Sequence, residues 1–158
     1  MPTSRDLPTD RQPVGQLLVQ LLREFRRELF EPASEGGYPD IRPPHLQIFG
    51  NLDVAGIRLT TLADRAQLSL AAASELVNEL QDLGYLERKP DATDRRAKLI
   101  VPTTRGRQAL RDARDRVAEI EQHWSGLVGS DRFAASCLTL QDLLDALTAP
   151  GSQAPRLS

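Results

Sequence analysis

A chain of 158 residues, 40% of them hydrophobic, can bury one ordinary core, which excludes a large multi-domain enzyme. Its polar start and the lack of any uninterrupted run of about 18 apolar residues predict a soluble, cytoplasmic protein with no leader and no membrane partner. The net charge is −2, and a single cysteine, Cys137, beside only His45 and His123 excludes an internal disulfide and offers no metal-site spacing, so no metal or cofactor is expected.

Residues 1–12 are polar and charged and are expected to be disordered. Val14, Leu17, Leu18, Leu21, Leu22, Phe25 and Leu29 recur at helical spacing and predict a first helix over Val14–Phe30 with one broad apolar stripe. Pro32, Gly36, Gly37 and Pro39 mark a loop, after which Pro43 and Pro44 open a helix in positions that proline tolerates; it carries Leu46, Phe49 and Leu52 and stops near Gly56. A short helix over Thr60–Ala66, capped by Thr60, leads through a tight connection at Gln67 and Leu68 into a second helix, capped by Ser69 and ending at Gly84. In that second helix Ala73, Leu76, Val77, Leu80 and Leu83 face inward, leaving Ala71, Ala72, Ser74, Glu75, Asn78, Glu79 and Asp82 on the other side.

From Tyr85 the period changes: Tyr85–Lys89 and Lys98–Pro102 read as strands flanking the turn-rich Pro90–Ala97, a hairpin with a long basic tip. Pro102 is expected at the end of an edge strand, where its missing N–H faces solvent. Thr103 caps a helix carrying Leu110, Ala113, Val117, Ile120 and Trp124 to about Val128, and beyond Gly129 a last helix aligns Phe133, Cys137, Leu140, Leu143, Leu144 and Leu147. The tail, 150–158, is expected to be disordered. The first and last helices carry more apolar surface than the middle of the chain needs. They are expected to pack together and against their copies in a second subunit, making 13–42 and 118–149 a helical dimerisation lobe around a module at 43–117.

Charge is unevenly placed. Between Gly84 and Arg116 ten basic residues face five acidic ones, a net +5, which leaves −7 for the rest of the chain. Basic charge confined to one segment suits phosphate, although a solvated helix face would look the same from sequence.

The ordered run Leu59-Thr-Thr-Leu-Ala-Asp-Arg-Ala-Gln-Leu-Ser69, Leu76-Val-Asn-Glu-Leu80, Leu83-Gly-Tyr-Leu-Glu-Arg-Lys-Pro-Asp91, Asp94-Arg-Arg-Ala-Lys98 and Thr103-Thr-Arg-Gly106 resembles the MarR family of bacterial regulators. The resemblance implies a mainly α fold with a small β-hairpin wing: a winged helix-turn-helix module with a dimerisation lobe. It further implies a homodimer that binds a palindromic double-stranded DNA site, most commonly as a repressor, with half-sites ~34–36 Å apart. An α-helix fits the major groove, so the helix capped by Ser69 is the candidate reader, with Ser69, Ala71, Ala72, Ser74, Glu75 and Asn78 toward the bases. The wing is expected to enter the minor groove through Arg96, while Arg88, Arg95 and Lys98 hold phosphates. Asp94 is read as the carboxylate that orients a neighbouring arginine, with a turn-capping role as the alternative.

Two departures stand out. Glu75 and Glu79 occupy positions that the family commonly fills with basic or polar residues; Glu75 can accept from cytosine N4 and Asn78 can address adenine, or Glu75, Glu79 and Asp82 form a solvated face. The unit 58–83 sums to −2, so the wing should supply most of the affinity, with a dimer salt slope on the order of −4 to −5, and replacing Arg96 should cost far more than replacing Glu79. The acidic helix also motivates a rival reading, a dimer with weakened DNA binding that acts through a protein partner. Relatives respond to small aromatic effectors, for which Phe25, Tyr38, His45 and Phe49 are the candidate lining residues. Cys137, on an apolar face, reads as a buried structural cysteine, and no constellation of an enzyme is present.

Overall fold

The computed structural model describes residues 7–30 and 37–151; the expectations for 1–6, 31–36 and 152–158 lie outside the described residues. The chain separates into two compact units, Met1–Arg116 and Val117–Ser158.

In the first unit, helix α1 (Val14–Phe30) spans the predicted residues. Its last turn is closed by Arg116, whose Nε and Nη2 donate to the Glu28 carbonyl at 3.0 and 2.8 Å. Helix α2 (His45–Phe49) follows Pro44 but is shorter than predicted, ending at Gly50 instead of near Gly56. The reason is local: the Asn51 side-chain amide takes the Gln47 carbonyl at 2.8 Å, replacing the backbone donor that would extend the helix.

Strand β1 (Ile57–Arg58) leads directly into helix α3 (Leu59–Ala66). The helix therefore starts one residue before the expected Thr60 cap, behind an extended Arg58 that makes no side-chain cap. Gln67 ends α3 in the left-handed region, φ 54°, with Leu68 N–H bonded to the Ala63 carbonyl at 2.9 Å and Gln67 N–H to Asp64 at 3.2 Å. This closure normally favours glycine, because a Cβ is strained there. Gln67→Gly should accordingly raise stability by up to about 1 kcal/mol, measured as a later urea midpoint with unchanged slope.

Helix α4 (Leu70–Asp82) begins as predicted, with Ser69 Oγ accepting from Ala72 N–H at 3.1 Å. Gly84, φ 84°, closes it: Gly84 N–H reaches the Gln81 carbonyl and Tyr85 N–H reaches Leu80, placing Tyr85 and Leu80 together in the core. Ala63 and Ala73 are both buried where α3 and α4 pack.

Strands β2 (Leu86–Pro90) and β3 (Lys98–Pro102) form the expected hairpin, but β1 adds on the far side of β3, so the antiparallel order is β1-β3-β2. Pro102 thus lies on the central strand and is buried, contrary to the edge position expected. It is tolerated because the Thr103–Tyr85 and Asp91–Ala97 backbone bonds set the alternation along β2 and β3, leaving Pro102 at a non-bonded position whose nitrogen faces away from β2. On that side β1 pairs only as far as Ile100.

Helix α5 (Thr104–Val128) starts where Thr103 Oγ1 accepts from Gly106 N–H at 3.1 Å. The first unit's core gathers Ile48, Ile57, Leu62, Val77, Leu80, Tyr85, Leu86, Ile100 and Ala109. In the second unit helix α6 (Ser130–Thr148) has its apolar face exposed at Leu138, Leu140, Leu143, Leu144 and Leu147. Cys137 is exposed as well, which corrects the expectation of a buried thiol.

Candidate nucleic-acid interface

The hairpin tip is built around a carboxylate that sequence reasoning passed over. Asp91, buried at the end of β2, accepts from Arg58 Nη2 at 2.6 Å and Nε at 3.1 Å through Oδ2, and from Thr93 N–H at 2.9 Å and Thr93 Oγ1 at 2.8 Å through Oδ1. The arginine-orienting carboxylate of this hairpin is therefore Asp91 and not Asp94, whose Oδ1 takes Arg96 N–H at 3.0 Å in a turn of the Asx type. The available signal was the Pro90-Asp91 pair at the turn; its partner Arg58 stood hidden in a two-residue strand with no periodicity of its own.

The Thr93 backbone, the Arg58 guanidinium and the Thr93 hydroxyl hold the Asp91 carboxyl down from 3.8 to about 2. A carboxyl depressed in the folded state supports the fold above its ordinary value and loses that support as pH falls through the lower one. The tip should therefore loosen between about pH 4 and pH 2. Amide exchange at Thr93 and Ala97 reads this loss, and Asp91→Asn should abolish its pH dependence.

Most of the basic segment is engaged internally. Arg105 lies over the Tyr85 ring at 4.2 Å and pairs with Asp40 at 3.0 Å, Arg107 donates to the Pro102 carbonyl at 2.9 Å, Arg111 to Gln108 at 2.6 Å, and Lys89 pairs with Glu87 at 3.2 Å. Arg88 is turned onto α4, where it meets Asn78 and Gln81. Arg95, Arg96 and Lys98 are exposed, and among the described residues none of them has an acceptor or ion-pair partner. The net +5 of the segment thus overstates the surface available to phosphate, which among the described residues narrows to the hairpin tip and to Arg114 on α5.

On α4, Ala71, Glu75, Asn78 and Asp82 are exposed, and Ala72 and Ser74 are half-buried. Glu79 departs from its expected place on the outer face. Its Oε2 bonds His45 Nε2 at 2.8 Å and the Arg42 guanidinium, fastening α4 to α2. Because His45 Nδ1 accepts from Arg42 N–H at 3.0 Å, Nε2 carries the ring hydrogen and donates to Glu79. The His45 bond first and Arg42 second hold the Glu79 carboxyl below the usual carboxylate range.

The residues considered for an aromatic effector fare differently. Tyr38 and Phe49 pack edge-on against Tyr85, each with ring centroids 5.9 Å apart, and His45 is buried. Burial and a hydrogen bond to Asp112 push the Tyr38 hydroxyl up to about 12. Phe25 is half-buried on α1, outside this group. The depression beside His45, about 360 Å³, is lined by Asp40, Arg42, His45, Glu79, Asp82 and Leu83, so of the four residues considered only His45 borders it. Among the described residues there is no cluster of potential metal ligands and no helix long and apolar enough to cross a membrane.

Two helices joined through a tight left-handed turn, then a three-stranded sheet whose hairpin ends in exposed cations, define a winged helix-turn-helix protein. Residues 40–97 match the MarR family model. A regulator from Bacillus subtilis (strain 168), the uncharacterized HTH-type transcriptional regulator YcgE, is 30% identical over 105 residues, covering 65% of this chain and 68% of that protein. The chain belongs to the MarR family, whose members are DNA-binding transcriptional regulators and not enzymes. Its fold is similar to that of the reduced form of MarR from E. coli, with TM-score 0.69 and 23% identity over 85% of this chain and 98% of that one. It is equally similar to S. aureus MepR in a DNA complex, with TM-score 0.69 and 18% identity over 87% and 100%.

Proposed function

We propose that the chain acts as a homodimeric repressor of transcription, reading a palindromic duplex with the 69–83 helix in the major groove and the 90–97 wing in the adjoining minor groove. The observation that carries this reading is the selective exposure of Arg95, Arg96 and Lys98 on a tip braced by Asp91, while neighbouring basic residues are engaged elsewhere. Residues 43–117 form the reading module in this proposal, and 13–42 with 118–149 the dimerisation lobe. The exposed apolar side chains of α1 (Val14, Leu18, Val19, Leu21, Leu22) and of α6 support a second subunit as their cover. In the rival reading, an acidic α4 recruits a protein partner; the turn of Glu79 toward His45 removes one carboxylate from that surface.

The test is a mobility-shift titration on DNA flanking the chain's own gene at two salt concentrations, with the mass in solution measured alongside. The expected result is a dimer whose affinity falls with salt at a slope on the order of −4 to −5. A stable monomer, or no shift at low salt, would overturn the proposal and favour the rival.

A further inference from the structure

Helix α4 carries three carboxylates, and they are placed very differently. Glu79 is bound to His45 and Arg42, and Asp82 stands in the last turn beside the His45 depression. Glu75 is exposed in the first half of the helix and, among the described residues, has no donor or ion-pair partner. Asn78, three residues on and therefore its neighbour on the helix surface, takes Arg88 Nη2 of β2 at 2.9 Å, so Glu75 lies on the side of α4 that adjoins the wing strand. In the turn before it, Leu70, Ala71 and Ala72 have no polar side-chain atom, and Ser69 Oγ caps the helix by accepting from Ala72 N–H at 3.1 Å. A base edge approached by this half of α4 therefore meets a lone carboxylate on a short apolar surface.

A carboxylate accepts hydrogen bonds and donates none. In the major groove it is satisfied only by an amino group, N4 of cytosine or N6 of adenine, while N7 and O6 of guanine and O4 of thymine turn lone pairs toward it. The two amino groups are not equivalent. That of adenine lies between two acceptors, its own N7 and O4 of the paired thymine, whereas that of cytosine has a C–H on one side and only the paired guanine O6 on the other. Cytosine therefore repels the carboxylate least. Phosphates repel it at every sequence, so the group discriminates between bases without adding general affinity. We infer that Glu75 is a specificity-determining residue of this chain, which rejects guanine and thymine and selects cytosine where α4 meets each half-site, with the wing cations offsetting its repulsion from the backbone. The inference rests on the major-groove reading of α4 proposed above.

Selection from randomised palindromic duplexes, run with the full-length chain and with Glu75→Ala, Glu75→Gln and Asp82→Asn, tests it. Both substituted positions are exposed, and thermal unfolding checks each variant's fold. The wild type should show one position per half-site at which cytosine is favoured about tenfold over guanine or thymine, the scale of one well-made base contact. Glu75→Ala should flatten that position alone and bind duplexes lacking the cytosine as tightly as the wild type or more tightly. Glu75→Gln keeps an accepting oxygen and adds an NH2 group that can donate to N7, so it should raise adenine there to parity with cytosine or above. Asp82→Asn removes the same charge from the far end of the helix and should leave every position unchanged. A wild-type preference for any base other than cytosine at the Glu75-sensitive position would overturn the inference. So would a Glu75→Ala profile with unaltered base choice, or equal flattening by Asp82→Asn. Failure of the wild type to bind any duplex would instead overturn the major-groove reading itself.

Discussion

Gly106→Ala should lower the unfolding free energy by about 3 kcal/mol or more, the upper end of what one added methyl causes in a packed interior. A Cβ at residue 106 would fall 2.0 Å from the Tyr85 carbonyl oxygen, 3.1 Å from its carbon and 3.3 Å from Pro102 Cβ. None of these atoms can yield cheaply. The Tyr85 carbonyl accepts from Thr103 N–H at 3.0 Å, and Thr103 Oγ1 in turn bridges the Gly84 carbonyl at 2.6 Å and Gly106 N–H at 3.1 Å. The Tyr85 side chain is fully buried, with its hydroxyl donating to Asp40 at 2.5 Å. Burial first, then the hydrogen bond to Asp40, pushes that hydroxyl well above its ordinary range, so the tyrosine stays a neutral donor. Moving the 85 carbonyl therefore disturbs the closure of α4, the start of α5 and the aromatic core together. A thermal scan at fixed protein concentration should show a fall of roughly 6–12 °C in Tm. An unchanged midpoint would show that the strand and helix can part without cost.

Arg96→Ala should reduce DNA affinity by roughly ten- to a hundredfold at moderate salt and make the salt slope less negative by about 1 to 2, because the proposed dimer would lose two copies. The comparison that isolates geometry from net charge is Arg114→Ala. Arg114 is also exposed and, among the described residues, also without a partner, but it stands on α5. Removing it changes the charge equally and should alter affinity by less than about threefold. Equal losses from the two variants would mean that overall charge governs binding and the wing has no special place. Glu79, the comparison that sequence suggested, no longer serves, because removing it leaves His45 and Arg42 without their acceptor.

Elements with a repeating pattern or a chemical punctuation mark are legible in the amino-acid sequence. The apolar stripe of α1, the Ser69 cap, the Gly84 stop and the Thr103-x-x-Gly106 start each depend on neighbours within a few residues, and all four appear where expected. Contacts across long separations are not legible in this way. Arg58 and Asp91 are 33 residues apart, and β1 is too short to show a period, so neither the brace of the wing nor the central place of β3 could be read.

The sequence by itself determined the order of the helices and of the two hairpin strands, the family and the stretch that carries the basic tip, because periodicity, capping and motif spacing are local properties of the chain. Only the tertiary structure decided which charged groups remain available. Burial and hydrogen bonding compete for every carboxylate and guanidinium at once, and that competition turned Glu79 toward His45, gave Arg88 to Asn78 and left Arg95, Arg96 and Lys98 exposed.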